Sequence, residues 1–530
     1  MDVELNAWLL FDHAPSNAPD AEVVSRLPDG SVHRYDYRTL GGRAQQLMHA
    51  LDGLGIDRGE RVATLGWNSF RHLEAYFAVP CTARVLHTLN ARLSPEDLAY
   101  VIGHARDRAV LVDPDFLPVL EALDGQLPGL EHIVVLGSSV PDTPLRGVIA
   151  YEDLIADQPT EYPPLDIPER TPLGLCYTSG TTGRPKGAEY THRSTYLHAF
   201  GVTSATAIAV GPGDSVLTQV PMFHANAWGL PYGSALAGAK QVFFAGPLDP
   251  PAFVDLLLAE HVTISAAVPT VWHTLAEEIG ARGGLPDMRH IVVGGSQPPR
   301  SLIARYRDQL GLRLIQAWGM TETSPLASVA WPQHRMRDWD DDAVTEAALV
   351  QAGIPIPGIS ISIRDDEGAP LPHDGQTMGN LYVRGPWVID QYAEGEGPES
   401  FSADGWFRTG DVAIASPGGY FVIADRTKDL IKSGGEWISS VEMEAAIMAL
   451  PAVLEAAVIA VPDPKWLERP LACVVIRDGH GLDLVELHAH LSTQGFARWQ
   501  FPERLEIIDA VPKTSVGKFD KKVLRQRFAG

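Results

Sequence analysis

Short apolar runs rich in Val, Ile and Leu alternate along the chain with longer amphipathic segments. That alternation predicts parallel strands connected by helices. Arg61–Leu65, Val85–Thr88 and residues 109–113 read as strands, with a helix over 70–77. Ser94-Pro95-Glu96-Asp97 marks a helix start: the serine caps exposed amides, and the proline takes the first helical position, where its missing N–H costs nothing. The same rhythm returns at 241–244, 255–260, Ile264–Ala267 and His290–Val293. The pattern predicts an α/β protein.

The character changes near Gly410-Asp411. Gly418-Gly419-Tyr420 predicts a hairpin turn, and the charged run Asp425-Arg426-Thr427-Lys428-Asp429 follows a strand. Beyond it lie strands at 456–461 and 472–476 and helices at 440–450 and 483–491. A segment of ~100 residues is domain-sized. The chain therefore reads as a large N-terminal domain, 1–425, with layered βα sheets, and a small α+β C-terminal domain, 426–530. The acidic stretch from Asp338 to Asp342 reads as a solvated surface insertion in preference to a metal site.

Composition narrows the class. The chain has 530 residues, too many for one core, and 45% of them are hydrophobic. A formal charge of −24 argues against nucleic acid, which needs clustered Lys and Arg. Residues 426–530 hold 14 basic and 14 acidic side chains, so the whole excess sits before them. Lys521, Lys522, Arg525 and Arg527 form a local basic cluster that reads equally as a patch for an anionic ligand or as ordinary surface charge. Cys81, Cys176 and Cys473 are far apart without metal-ligand spacing, as in a reducing compartment. No run approaches the ~18–20 apolar residues of a membrane span, and the start Met-Asp-Val-Glu-Leu lacks a signal peptide's basic residues. A cytoplasmic protein without an integral membrane segment is expected.

Residues 177–187 read Tyr-Thr-Ser-Gly-Thr-Thr-Gly-Arg-Pro-Lys-Gly. Thr178, Ser179, Gly180, Thr181, Thr182 and Gly183 offer small hydroxyls and close-approaching amides, and Lys186 adds a compact positive charge. The run suits phosphate oxygens. Gly187 and Ala188 follow the lysine where a Walker loop needs Ser or Thr, so a P-loop NTPase is a poor fit. An apolar strand over 173–177 leads straight in, which a flexible linker would not need.

Four motifs in order resemble the adenylate-forming superfamily of acyl-CoA synthetases, adenylation domains and luciferases. They are the 177–187 run, Gln316-Ala317-Trp318-Gly319-Met320-Thr321-Glu322, Thr409-Gly410-Asp411, and Pro512-Lys513-Thr514-Ser515-Val516-Gly517-Lys518. The resemblance implies ATP, Mg²⁺ and coenzyme A. It places Gly295, Ser296, Ala317, Trp318, Gly319, Thr321, Asp411 and Arg426 at the nucleotide, with Trp318 stacking on adenine, Asp411 accepting from ribose and Thr321 holding the α-phosphate. Glu322 is the implied Mg²⁺ ligand, in keeping with that ion's use of one or two carboxylates plus phosphates. Trp318 stands where the family more often has Tyr. Lys518 is the implied catalytic lysine, carried on a domain that rotates about Lys428. Gly434, Gly435 and Trp437 resemble the segment lining the pantetheine tunnel. Homodimers are common in the family.

The implied acid lies beside Pro221-Met222-Phe223-His224-Ala225-Asn226-Ala227-Trp228. Amino-acid-activating relatives carry Asp where His224 stands, because a buried ammonium needs a paired carboxylate. Trp228 resembles the aromatic gate of medium- and long-chain fatty-acyl-CoA synthetases, and Val268, Pro269, Gly294, Gln297 and Pro298 are the expected wall. Gln297 puts an amide there, and an unpaired buried amide costs ~1–3 kcal/mol. A fatty acid is the leading substrate. The alternatives are a short functionalised acid such as 3-methylmercaptopropionate, a carrier-protein thiol in place of CoA, and a non-catalytic acyl or adenylate sensor.

Overall fold

The apolar runs become strands buried on both faces. The computed structural model describes residues 2–178, 184–433, 436–513 and 519–528, the Glu436 side chain excepted. In it Arg61–Leu65 lies between Val85–Thr88 and Asp107–Val112, both parallel to it, within a seven-stranded sheet. A nine-stranded sheet sets Lys240–Phe244, Ser215–Thr218, Ile264–Ala267, His290–Val293 and Leu314–Gly319 side by side in parallel. Ser215–Thr218, Ile264–Ala267 and His290–Val293 are buried at every position, which explains why their apolar residues run on without alternating.

The helices begin where their caps predict. Ser94 Oγ accepts from Asp97 N at 3.1 Å and opens Pro95–Ala105. The helix expected over 70–77 runs on to Cys81, because Ala78, Val79 and Cys81 are also buried. The segment expected over 255–260 is the end of Pro250–Ala259, which starts early because Asp249 caps it and proline fits its first turn.

A four-stranded antiparallel sheet follows, Ser360–Arg364, Met378–Arg384, Phe407–Ala415 and Phe421–Arg426. Gly419, at φ +87°, makes the turn before its last strand. The C-terminal sheet sets Glu436–Ile438, Ile431–Ser433, Leu467–Ile476 and Val453–Asp463 side by side, each antiparallel to its neighbour, with Arg504–Ile507 added in parallel to Leu467–Ile476. Ser440–Met448 and Leu484–Thr493 pack their apolar faces on it. A large α/β part with parallel sheets thus precedes a small, mainly antiparallel one.

At the acidic stretch, Asp340 caps the short helix Asp341–Val344, and Asp342 meets Arg307 at 3.1 Å. Among the described residues no three His, Cys, Asp or Glu side chains gather to hold a metal. All three cysteines are buried and free. No described helix is long and apolar enough to cross a membrane.

Candidate active site

The carboxyl ends of parallel strands converge on one cavity of ≈ 710 Å³. Thr178 follows Pro172–Tyr177, Gly294 and Gly295 follow His290–Val293, and Thr321 and Glu322 follow Leu314–Gly319. Open α/β sheets bind ligands at this edge, where helix connections leave a crevice.

At one end, two chain segments are clasped. Thr178 N donates to the Lys186 carbonyl at 2.9 Å and Lys186 N donates to Thr178 Oγ1 at 3.1 Å, closing the base of the hydroxyl-rich loop. Ser179, Gly180, Thr181, Thr182 and Gly183 lie outside the described residues. The Lys186 ammonium stands 3.3 Å from Glu399 and 5.3 Å from the centre of the Tyr392 ring. Its positive charge helps hold the Glu399 carboxyl below the usual range.

The middle of the cavity is the turn after Leu314–Gly319. A Cβ on Gly319 would lie 1.9 Å from the Pro325 carbonyl oxygen, so only glycine allows this close return of the chain. The Thr321 carbonyl accepts from Tyr190 Oη at 2.7 Å. Glu322 is buried and accepts from Tyr392 Oη at 2.6 Å; burial raises its pKa. Trp318 lines the cavity and meets Phe421 edge-on at 5.5 Å. Ala317, Gly319 and Gly295 also line it, whereas Ser296 does not.

Asp411 is buried, and its carboxylate pairs with Arg426 at 2.7 Å. Arg426, Thr409 and Gly410 line the cavity, while Asp411 stands behind them. Lys428 also lines it, and burial lowers its pKa. Asp425 points the other way: its Oδ2 accepts from Ser440 N at 2.7 Å and from Ser440 Oγ at 2.5 Å.

His224, Ala225, Trp228 and Gly294 form the opposite end. Residues 225–228 all hold left-handed backbone, with φ of 44°, 50°, 52° and 57°. Such conformations persist only where neighbours over-determine them. Here Asn68 accepts from Met222 N at 2.7 Å while donating to the Thr218 and Val220 carbonyls, and Asn226 Oδ1 accepts from Cys176 Sγ at 3.3 Å. The turn presses the Trp228 indole against Gly294, where a Cβ would lie 2.8 Å from the ring.

The expected acyl wall is reached only in part. Val268, Pro269, Gln297 and Pro298 do not line the cavity, which ends at Trp228 and Gly294. Pro269 instead opens the helix Pro269–Ala281. The amide penalty expected at Gln297 is not incurred, since its Nε2 donates to the Val350 carbonyl at 2.9 Å. Trp437 is exposed on its hairpin, with the Lys432 ammonium 4.2 Å above the ring centre, and does not line the cavity. Gly434, Gly435 and Lys518 lie outside the described residues. Tyr392, Glu396 and Glu399 line the cavity but carry no sequence signal, because they approach from a loop more than 200 residues after the hydroxyl-rich run.

Comparison with known proteins places the chain in a family. The model of the AMP-binding enzyme family matches residues 11–393, and that of the AMP-binding enzyme C-terminal domain matches residues 442–518. The chain is 46% identical to a long-chain-fatty-acid–CoA ligase of Thermus thermophilus, across 100% of this chain and 96% of the relative. It is 42% identical to a 3-methylmercaptopropionyl-CoA ligase of Ruegeria lacuscaerulensis, across 98% of this chain and 96% of the relative. Among solved structures, ATP-bound MatB from Rhodopseudomonas palustris superimposes with a TM-score of 0.85 at 26% identity, covering 99% of both chains. The chain belongs to the AMP-binding enzyme family.

Proposed function

We propose that this chain is an AMP-forming acyl-CoA ligase, with a medium- or long-chain fatty acid as its leading substrate. The observation that carries the reading is a single cavity bringing Thr178 and Lys186, then Trp318, Thr321 and Glu322, then His224 and Trp228 into line. That order suits phosphates, an adenylate centre and an acid. A carboxylate oxygen of the acid attacks the α-phosphorus of ATP and pyrophosphate leaves; the CoA thiol then attacks the acyl carbon, loses its proton, and AMP leaves.

Little covalent work falls to the protein, so positioning and charge supply the acceleration. Lys186 and the 179–183 loop hold the pyrophosphate portion, Thr321 meets the α-phosphate, and Trp318 offers adenine a ring face. Asp411, paired with Arg426, accepts from the ribose. His224 stands where the acid's carboxylate must lie. Glu322 fits Mg²⁺, which takes few protein ligands and completes its shell from phosphates: it is a buried carboxylate on the cavity wall with burial opposing its charge. Bound there, the ion neutralises phosphate charge.

The domain division at 425–429 belongs to the same reading. Arg426 is anchored to Asp411 before the hinge, whereas the Asp425–Ser440 hydrogen bond spans it, so a rotation centred on Lys428 would keep the first contact and break the second. It would bring Lys518 to the acid for the first step and the Gly434-Gly435-Trp437 segment to the thiol path for the second. We further propose a cytoplasmic enzyme, in keeping with its unpaired cysteines; the homodimer is proposed from family resemblance alone.

A second reading, a short functionalised acid such as 3-methylmercaptopropionate, is favoured by the indole of Trp228, which ends the cavity against Gly294. AMP release measured over acids from acetate to palmitate separates the two, and a maximum at the short thioether acid sinks the fatty-acid assignment. Lys518→Ala tested beside the wild type should lose adenylation yet still convert a supplied acyl-adenylate to thioester. Equal loss of both half-reactions refutes its role.

A further inference from the structure

One buried phenol touches both parts of the ATP end of the cavity. Tyr392 is 4% exposed, and its hydroxyl donates to Glu322 Oε1 at 2.6 Å. Its ring carries the Lys186 ammonium 5.3 Å from the centroid, within cation–π reach. Its backbone is tied to the same two segments. Tyr392 bridges Ala188, two residues beyond Lys186, and Ile389 N donates to the Glu322 carbonyl at 2.9 Å. Phe401 and Phe407 meet the ring edge-on at 5.9 and 6.4 Å and set its plane. The following turn wraps the lysine so closely that a Cβ on Gly397 would lie 2.4 Å from Lys186 Nζ.

We propose that Tyr392 is a positioning residue for adenylation: its hydroxyl orients the Glu322 carboxylate toward Mg²⁺ while its ring face docks Lys186 for the phosphates. The proposal rests on the ATP-dependent reading above. A carboxylate held through one oxygen presents the other in a defined plane, and losing such a supporting hydrogen bond typically costs ~10–100-fold in metal affinity or activity. The ring keeps the ammonium at the cavity while leaving it free to turn to an anion. Joining the two through one side chain keeps the metal ligand and the phosphate lysine in register, although they come from strands of different sheets.

The test is calorimetric binding of ATP across a Mg²⁺ series, without acid or CoA, so that no turnover contributes. Tyr392→Phe should need ~10-fold more Mg²⁺ to reach half of the metal-dependent tightening, with ATP affinity in the absence of Mg²⁺ within twofold of wild type. Tyr392→Leu, which removes the ring as well, should also weaken ATP without Mg²⁺. In a Glu322→Gln background, Tyr392→Phe should add no further shift. A wild-type Mg²⁺ requirement in Tyr392→Phe, or an undiminished shift in the Glu322→Gln background, overturns the proposal alone. Wild-type ATP binding that ignores Mg²⁺ removes the metal reading, and the Tyr392 role with it.

Discussion

Gly319→Ala perturbs the turn that presents Thr321 and Glu322 while adding a single methyl group. That methyl would start 1.9 Å from the Pro325 carbonyl oxygen and 2.8 Å from its carbon, whereas real contacts of this kind stay beyond 3.0 Å. The chain must open by about 1 Å, and both partners are backbone, so no rotamer change relieves the clash. Pro325 O also accepts from Met320 N at 3.2 Å and from Thr323 Oγ1, so the displacement spreads through 319–326. A misplacement of ~1 Å costs ~10²-fold in rate, about 2.7 kcal/mol on the barrier. Overpacking adds ~1–3 kcal/mol of lost stability. ATP–pyrophosphate exchange with the best acid of the panel should therefore fall ~100-fold. Gly311→Ala is the control: it has φ +66° and open space around its Cβ, it caps a helix away from the cavity, and it should lose ~1–2 kcal/mol of stability without losing exchange. Exchange by Gly319→Ala within threefold of wild type would refute the view that this close chain return positions Thr321 and Glu322.

Gly294→Ala places a Cβ 2.8 Å from the Trp228 indole and 3.0 Å from the Ala317 carbonyl oxygen, so it should displace the ring and shift the acid profile, whereas Trp228→Ala should broaden it toward longer acids; identical AMP-release profiles in all three enzymes would exclude Trp228 as the end wall. Glu399→Gln should lower KM for ATP by no more than about fivefold at low salt, because a pair this exposed is worth ~0–1 kcal/mol, with 35% and 73% of the side chains open to solvent; the gain should vanish in high salt. Burial raises the Asp113 pKa to about 7 from its ordinary 3.8. The unfolded chain then binds fewer protons across that window, so the stability linked to Asp113 is complete below pH ~3.8 and is lost as pH rises through ~7. Denaturant unfolding of Asp113→Asn, whose side-chain oxygen can still accept from Trp67 N at 2.6 Å in the parent, should show a flatter decline over that window, and an unchanged slope would reject the shift.

Local patterns were enough for most of the elements. Ile264–Ala267 and His290–Val293 are legible because strands buried on both faces need unbroken apolar runs. Ser94-Pro95 is legible because cap chemistry is local. Thr178 and Lys186 are legible from their own hydroxyl-rich run, whereas Trp318, Thr321, Glu322, His224 and Trp228 are named by family resemblance; the fold sets all seven on one cavity.

What spacing alone could not decide depends on contacts between distant segments. Gln297 read as an unpaired amide on the acyl wall until the fold brought the Val350 carbonyl to it. Asp411 is named by its motif, but its ion pair with Arg426 is made only by strand pairing that sets the two opposite. Trp228 could be named but not aimed: its left-handed turn and its packing on Gly294 come from Asn68 and Cys176, more than 40 residues away in each case. Tyr392 is the clearest instance, a phenol in an ordinary loop sequence that becomes a link between Glu322 and Lys186 only after two sheets have formed. Composition, caps and periodicity determine which elements form and where loops fall, because those preferences act over a few residues. Hydrogen-bond partners, gate direction and the end of the acid's compartment belong to the tertiary structure, because each is set by groups whose separation along the chain leaves no local trace.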